Sequence, residues 1–218
     1  MSDSSPPREG GSSVTKGDQY HHPDLRDAMI RVAQDLLETE GANGWTVRAA
    51  ARIAGVSSGA PYRHFADKDA LLAAVAARGF EELKAEIDAR MTRAGTSPLA
   101  RFQVLGEAYV SFALARPGRY SIMFGRSVVD PKVHAELKQA ADRTFTALSS
   151  EVEAAQHAGL LRQDRPAAEL TAAAWSMIHG LSDLLLSGRL SGVTETDSLT
   201  LTARVGRIMF EGLIARGK

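Results

Sequence analysis

The 218-residue chain contains no cysteine. That excludes disulfides, thiolate metal sites and a cysteine nucleophile. It carries no net charge, with 26 basic and 26 acidic residues. Bulk electrostatics therefore gives nucleic-acid binding no support, and any such role must rest on local charge. Long apolar runs are missing. The longest uncharged, apolar-leaning stretch is Leu170 to Ser182, short of the roughly 20 residues that span a bilayer. The N-terminus, with Asp3, Pro6, Pro7, Arg8, Glu9 and Gly10, lacks the apolar centre of a signal peptide. These absences point to a soluble, cytoplasmic protein with no membrane partner. Catalytic signatures are missing too: no Gly-x-Ser-x-Gly, no phosphate loop, no dinucleotide fingerprint, no His-x-x-x-His. His21 and His22 sit in a polar arm, and His134, His157 and His179 are scattered. This argues against an enzyme, and no cofactor or metal is expected.

What remains is ordinary globular material, 44% hydrophobic and 24% charged. Residues 1–20 are rich in Ser, Gly, Pro and charge and read as a disordered arm. Beyond them the apolar spacing is helical throughout. Pro23 and Asp24 suit the first turn of a helix with the stripe Leu25, Met29, Val32 and Leu36, ended by Gly41 and Gly44. Thr46 can cap a second helix that buries Val47, Ala50 and Ala51. Gly55 breaks it, and Val56 points inward. Ser57 or Ser58 would cap a third, short helix whose first turn tolerates Pro61. Asp67 can cap a long fourth helix burying Leu72, Val75, Leu83, Ile87 and Met91. After Gly95 and Pro98 come Leu99, Phe102, Leu105, Tyr109 and Phe112, then a break at Arg116-Pro117-Gly118 and a short segment with Tyr120, Met123 and Phe124. Pro131 would open a helix carrying Val133, Leu137, Ala141, Phe145, Leu148 and Val152, stopped by Gly159-Leu160. The last two helices run from Pro166 to Ser187 and from Asp197 to Ala215. Their stripes are Leu170, Ala174, Ile178, Leu181 and Leu185, then Leu201, Val205, Ile208, Met209 and Leu213. No convincing strand is present. The fold class is all-α, with about nine helices.

Residues 41–66 hold Arg48, Arg52 and Arg63 and no acid. A small surface of one sign is what phosphate contact needs. Within it, two short helices flank Gly55, where a tight bend needs positive φ. Ser57, Ser58, Gly59 and Ala60 are small, so backbone can approach a duplex. Tyr62, Arg63, His64 and Lys68 supply donors for phosphates and base edges. The unit reads as a helix-turn-helix.

The run Thr46, Ala54, Gly55, Val56, Ser57, Gly59, Tyr62, His64, Phe65, Lys68 and Leu71 resembles the DNA-binding segment of the TetR family of bacterial transcriptional regulators. The match departs at Ala50-Ala51, where the family usually has a larger aliphatic before Ala. The resemblance implies that Thr46 and Arg48 touch phosphate and that Ser57, Ser58, Gly59 and Ala60 open the recognition helix. Tyr62 and His64 would contact the sugar-phosphate backbone, Lys68 a phosphate, and Arg63 a guanine. Phe65 would be core. It further implies a homodimer through the last two helices, whose Ala172, Ala173, Ala174 and Gly180 permit close approach, and a small-molecule cavity in the larger domain. Candidate lining residues are Phe102, Tyr109, Phe112, Tyr120, Met123, Phe145, Trp175 and Met177, with Arg119, Arg126 and His134 as possible polar contributors. Trp175-x-x-x-His179-Gly180 resembles a C-terminal class of the family, and His179 either contacts ligand or packs with its imidazole on a neighbouring carbonyl.

The expected organisation is an arm at 1–20, a helix-turn-helix domain at 21–70, a connecting helix at 71–94 and a ligand-binding and dimerisation domain at 95–218. The expected function is a repressor that leaves its operator DNA when an effector binds. A helical adaptor or ligand-binding protein without a DNA role is the alternative.

Overall fold

The computed structural model describes residues 25–125, 130, 132–192 and 196–213, with the side chain of residue 213 excepted. The expectations placed on the arm, on His21, His22, Pro23 and Asp24, on Arg126, on Pro131 and on Ala215 lie outside the described residues.

Among the described residues the regular structure is entirely helical. Eight α-helices and one 3₁₀ turn follow in order: α1 (Leu25–Glu40), α2 (Val47–Ile53), the 3₁₀ turn (Ala60–Arg63), α3 (Lys68–Met91), α4 (Pro98–Ala115), α5 (Pro117–Phe124), α6 (Ala135–His157), α7 (Ala167–Leu186) and α8 (Ser198–Leu213).

The caps follow from local chemistry. The Thr46 hydroxyl accepts the Ala49 N–H at 3.1 Å and starts α2. The Asp67 carboxylate accepts the Ala70 N–H at 2.8 Å and starts α3. Asp197 accepts the N–H groups of Leu199 and Thr200 at the head of α8. Each satisfies helix-start donors that would otherwise be left to water.

The end of α2 is the turn on which the N-terminal unit depends. Gly55 takes φ +73°. Its N–H donates to the Arg52 carbonyl, and the Val56 N–H donates to the Ala51 carbonyl at 3.0 Å. This is the paired helix-end motif with a left-handed residue after the cap. Its apolar follower Val56 packs against the core as expected.

α3 is the central strut. It packs on α1, α4, α5 and α6, and its buried face runs from Leu71 to Ile87. One hydrophobic cluster extends from Met29 in α1 through α3 and α5 to Ala140 in α6. A smaller one joins Val152, Leu161, Leu170 and Phe210.

Several local expectations are corrected. The third helix forms as a 3₁₀ turn, and its cap position is Gly59, with no side-chain cap from Ser57 or Ser58. Pro61 has no N–H to give and too few residues follow it for an α ladder. Val133 precedes α6 and is exposed, since that helix begins at Ala135. In α8 the buried line is Thr202, Gly206 and Phe210, and Ile208 is 70% exposed. At the α6 stop, Leu160 completes the backbone motif with Ala155, but its neighbour Leu161 is the buried side chain.

A Cβ at residue 55 would meet nothing within 4 Å. Gly55→Ala therefore tests the backbone alone, where a left-handed L-residue costs about 1–2 kcal/mol. Urea unfolding should show a loss of that size. Unchanged stability would mean that the turn relaxes to negative φ.

Candidate functional site

The helix-turn-helix presents one continuous exposed face. Thr46, Arg48, Ser57, Ser58, Gly59, Tyr62, Arg63 and His64 are all exposed, and Ala60 is half-buried. Arg48, Arg52 and Arg63 make no ion pair among the described residues. Other arginines bind carboxylates, Arg78 with Asp27, Arg101 with Glu151, Arg119 with Glu38 and Glu82, whereas Arg31, Arg93, Arg189 and Arg207 also make no ion pair among the described residues. The helix-turn-helix arginines stay unpaired because the sequence around them holds no acid.

Two residues of this unit face inward. Phe65 is core, as expected. Lys68 is half-buried, and its Nζ donates to the Trp45 carbonyl and lies 4.4 Å from the centre of the Trp45 ring. Desolvation lowers the lysine's pKa from its ordinary value, partly offset by Asp69. The ammonium therefore ties the start of α3 to the residue that precedes the α2 cap. Trp45, unnoticed in the sequence, is buried with Val47 and Ala50. Its position just before a capping Thr was the available signal.

The larger part of the molecule holds a half-open cavity of about 750 Å³ between α3, α4, α5, α6, α7 and α8. Of the sequence candidates, Phe102, Tyr109, Met123, Phe145, Trp175 and Met177 line it. Phe112 does not, because it is fully buried in the core. Tyr120 and His179 lie behind the wall. Arg119 is held by two carboxylates, and His134 occupies the position before α6 without lining the cavity. Gln103, Phe124, Asp130, Asp142 and Thr144 also line it and were not singled out. They are scattered over four segments, so no spacing in the chain connects them.

His179 explains the Trp-His-Gly motif. Its Nδ1 is 2.8 Å from the hydroxyls of both Tyr109 and Tyr120, rather than on a backbone carbonyl. One ring nitrogen has one lone pair or one proton, so it satisfies one phenol directly. The two tyrosine rings meet edge to face with centroids 6.0 Å apart. Phe124 and Trp175 complete the packing around the imidazole, with ring centroids 5.0 and 5.8 Å away.

α5 joins this region to α1. The Glu38 carboxylate accepts the N–H groups of Gly118 and Arg119 at 2.7 and 3.2 Å and also binds the Arg119 guanidinium. Arg119 reaches on to Glu82 of α3 at 2.7 Å. A Cβ on Gly118 would stand 2.5 Å from the Leu37 carbonyl oxygen, so only glycine allows this approach. The other end of α5 supplies Met123 and Phe124 to the cavity wall.

Comparison with known proteins now decides the family. Residues 29–75 match the profile described as bacterial regulatory proteins, tetR family, and residues 102–208 match the tetracyclin repressor-like C-terminal domain. The chain belongs to the TetR family. TetR-family proteins are DNA-binding transcriptional regulators and not enzymes. A Rhodococcus sp. RHA1 protein of unknown function is 31% identical, with 91% of this chain and 100% of that chain covered and a TM-score of 0.80. The fatty acid degradation regulator FadR from Bacillus halodurans is 16% identical, with 89% and 98% covered and a TM-score of 0.70. A tetR-family regulatory protein from Rhodococcus RHA1 is 18% identical, with 88% and 98% covered and a TM-score of 0.66. At those two lower identities the likeness is one of fold. No curated protein matches the chain in sequence. No described helix of this TetR-family regulator is long and apolar enough to cross a membrane.

Burial, the largest cause, pushes the phenols of Tyr109 and Tyr120 well above their ordinary value of 10.0. The folded protein thus keeps protons that the unfolded chain releases above that pH. Their contribution to stability is complete below about pH 10 and is lost as pH rises further. Thermal melts above pH 10 should fall less steeply for Tyr120→Phe than for the wild-type protein. Parallel slopes would show that the phenol titrates normally.

Proposed function

We propose that this TetR-family regulator represses transcription by occupying an operator as a homodimer, and that a small molecule in the 750 Å³ cavity releases it. The observation that carries the reading is α5. Met123 and Phe124 near its end line the cavity, and its start is clamped to α1 of the helix-turn-helix unit by Glu38. A ligand that displaces that wall moves a helix already fastened to the DNA-binding unit. The fourth helix of the sequence reading, α3, shares the load through Glu82 and Arg119. Binding of DNA and of ligand then oppose each other equally.

Contact roles follow from exposure. Thr46, Arg48, Tyr62 and His64 meet the sugar-phosphate backbone, the backbone of Ser57, Ser58, Gly59 and Ala60 approaches the groove, and Arg63 reads a base. Lys68, engaged with Trp45, acts on DNA chiefly by holding the unit together, with its residual charge near the phosphates.

One helix-turn-helix makes few contacts, and a dimer places two about 34 Å apart on the duplex. α7 and α8 expose Ala172, Ala173, Leu184, Leu199 and Ile208, an unusual amount of apolar surface for water. This supports the last two helices as the interface.

Arg63→Ala should relax preference at one base position by about 1–3 kcal/mol. Arg48→Ala should weaken binding to all sequences and flatten the log–log salt dependence by about one unit. Selection of bound sites from random DNA, followed by salt titration of fluorescence anisotropy, measures both. Equal loss on operator and random DNA for Arg63→Ala would remove its readout role.

Ile208→Glu should lower the solution mass to that of one chain and abolish operator binding with little change in helicity. Sedimentation at micromolar concentration checks this. A persistent dimer would place the interface elsewhere.

A further inference from the structure

The cavity wall is built largely of rings: Phe80, Phe102, Tyr109, Phe124, Phe145 and Trp175. They come from five helices, and Phe145 and Trp175 meet edge to face at 5.7 Å. Such walls stack on flat or fused rings.

The polar groups of the wall are mostly engaged. The Thr144 hydroxyl donates to the Ala140 carbonyl at 3.0 Å. The Thr202 hydroxyl donates to the Ser198 carbonyl at 2.7 Å. Asp142 is paired with Lys138, and Asp130 accepts the Lys132 N–H. Gln103 of α4 differs. Its amide is half-buried and has no hydrogen-bond partner among the described residues. It offers both donors and an acceptor to whatever enters.

Charge narrows the occupant further. The charged residues of the described wall are two carboxylates, Asp130 and Asp142. An anion entering here would lose water to apolar rings and find no cation among the described wall residues to offset that loss. A cation gains little, because Asp142 is paired with Lys138 and both carboxylates are exposed to water.

We propose that the cavity takes an uncharged, ring-bearing lipophile with one hydroxyl or carbonyl for the Gln103 amide, and that an apolar wall without a cation disfavours its carboxylate analogues. This rests on reading the cavity as the effector site. The ligand class is separable from that reading, because binding and DNA release are measured apart.

Three probes share one ring system and differ in the polar group: pyrene, 1-pyrenemethanol and 1-pyrenecarboxylate. Their binding to the full-length protein is followed by quenching of tryptophan emission, since Trp175 lines the cavity. 1-Pyrenemethanol should bind at least tenfold more tightly than the carboxylate at neutral pH. Gln103→Leu should weaken 1-pyrenemethanol several-fold and leave pyrene unchanged. Lys138→Gln combined with Asp142→Asn removes an exposed pair of no net charge and should leave the gap between alcohol and carboxylate unchanged. The proposal is overturned if the carboxylate binds as well as the alcohol, if Gln103→Leu affects pyrene and 1-pyrenemethanol alike, or if no probe binds. If 1-pyrenemethanol binds as stated while operator DNA stays bound, the ligand class stands and release by the cavity fails.

Discussion

One carboxylate fastens the start of α5 to α1. Glu38, near the end of α1, accepts two backbone N–H groups at the start of α5 and one guanidinium, Arg119. Placing a charge in a half-buried junction carries a desolvation cost of several kcal/mol. Here it is offset by three charge-assisted bonds and by the positive end of a helix. The geometry requires glycine at 118, because α5 begins against the backbone of Leu37. Asp27–Arg78 and Arg26–Glu136 add further ion pairs from α1 to α3 and α6. The helix-turn-helix unit is therefore fastened to the larger domain by directional bonds, which favour discrete arrangements over continuous slippage.

That junction gives the cavity a route outward. Phe124 packs on Phe80, Tyr109, Tyr120, Trp175 and His179, so the end of α5 is embedded in the aromatic wall. A shift of this ring translates along a two-turn helix too short to absorb it. The Tyr109–His179–Tyr120 cluster adds rigidity on the α7 side. Both buried phenols reach the same imidazole nitrogen, Nδ1 of His179. α7 also exposes Ala172, Ala173 and Leu184, so the cavity and the dimer face proposed above would share one helix.

The helix-turn-helix was legible because its signals are local. A capping Thr46, a glycine at positive φ, an apolar Val56 and a capping Asp67 act within a few residues of themselves. The same holds for the stops at Gly159 and Gly188, where backbone bonds close on the preceding turn. Local chemistry fell short where a neighbour intervened. Lys68 reads as a phosphate contact in the sequence, and the folded chain adds a bond to the Trp45 carbonyl that no local signal showed. The apolar stripe written for α8 included Ile208, which is exposed, because periodicity reports an apolar face without saying which body covers it.

By itself the sequence determined the helical class, the caps at Thr46, Asp67 and Asp197, the turn at Gly55 and the acid-free run that carries Arg48, Arg52 and Arg63. These are set by hydrogen bonds and charges within about a dozen residues. Tertiary structure alone decided the site in the larger domain. It separated Phe102, Tyr109, Met123, Phe145, Trp175 and Met177, which face a cavity, from Phe112, which fills the core. It also joined Glu38 to Arg119 and His179 to two tyrosines. The physical reason is that a cavity and an ion pair between helices depend on crossing geometry, which the packing of the whole core sets and no stretch of chain encodes.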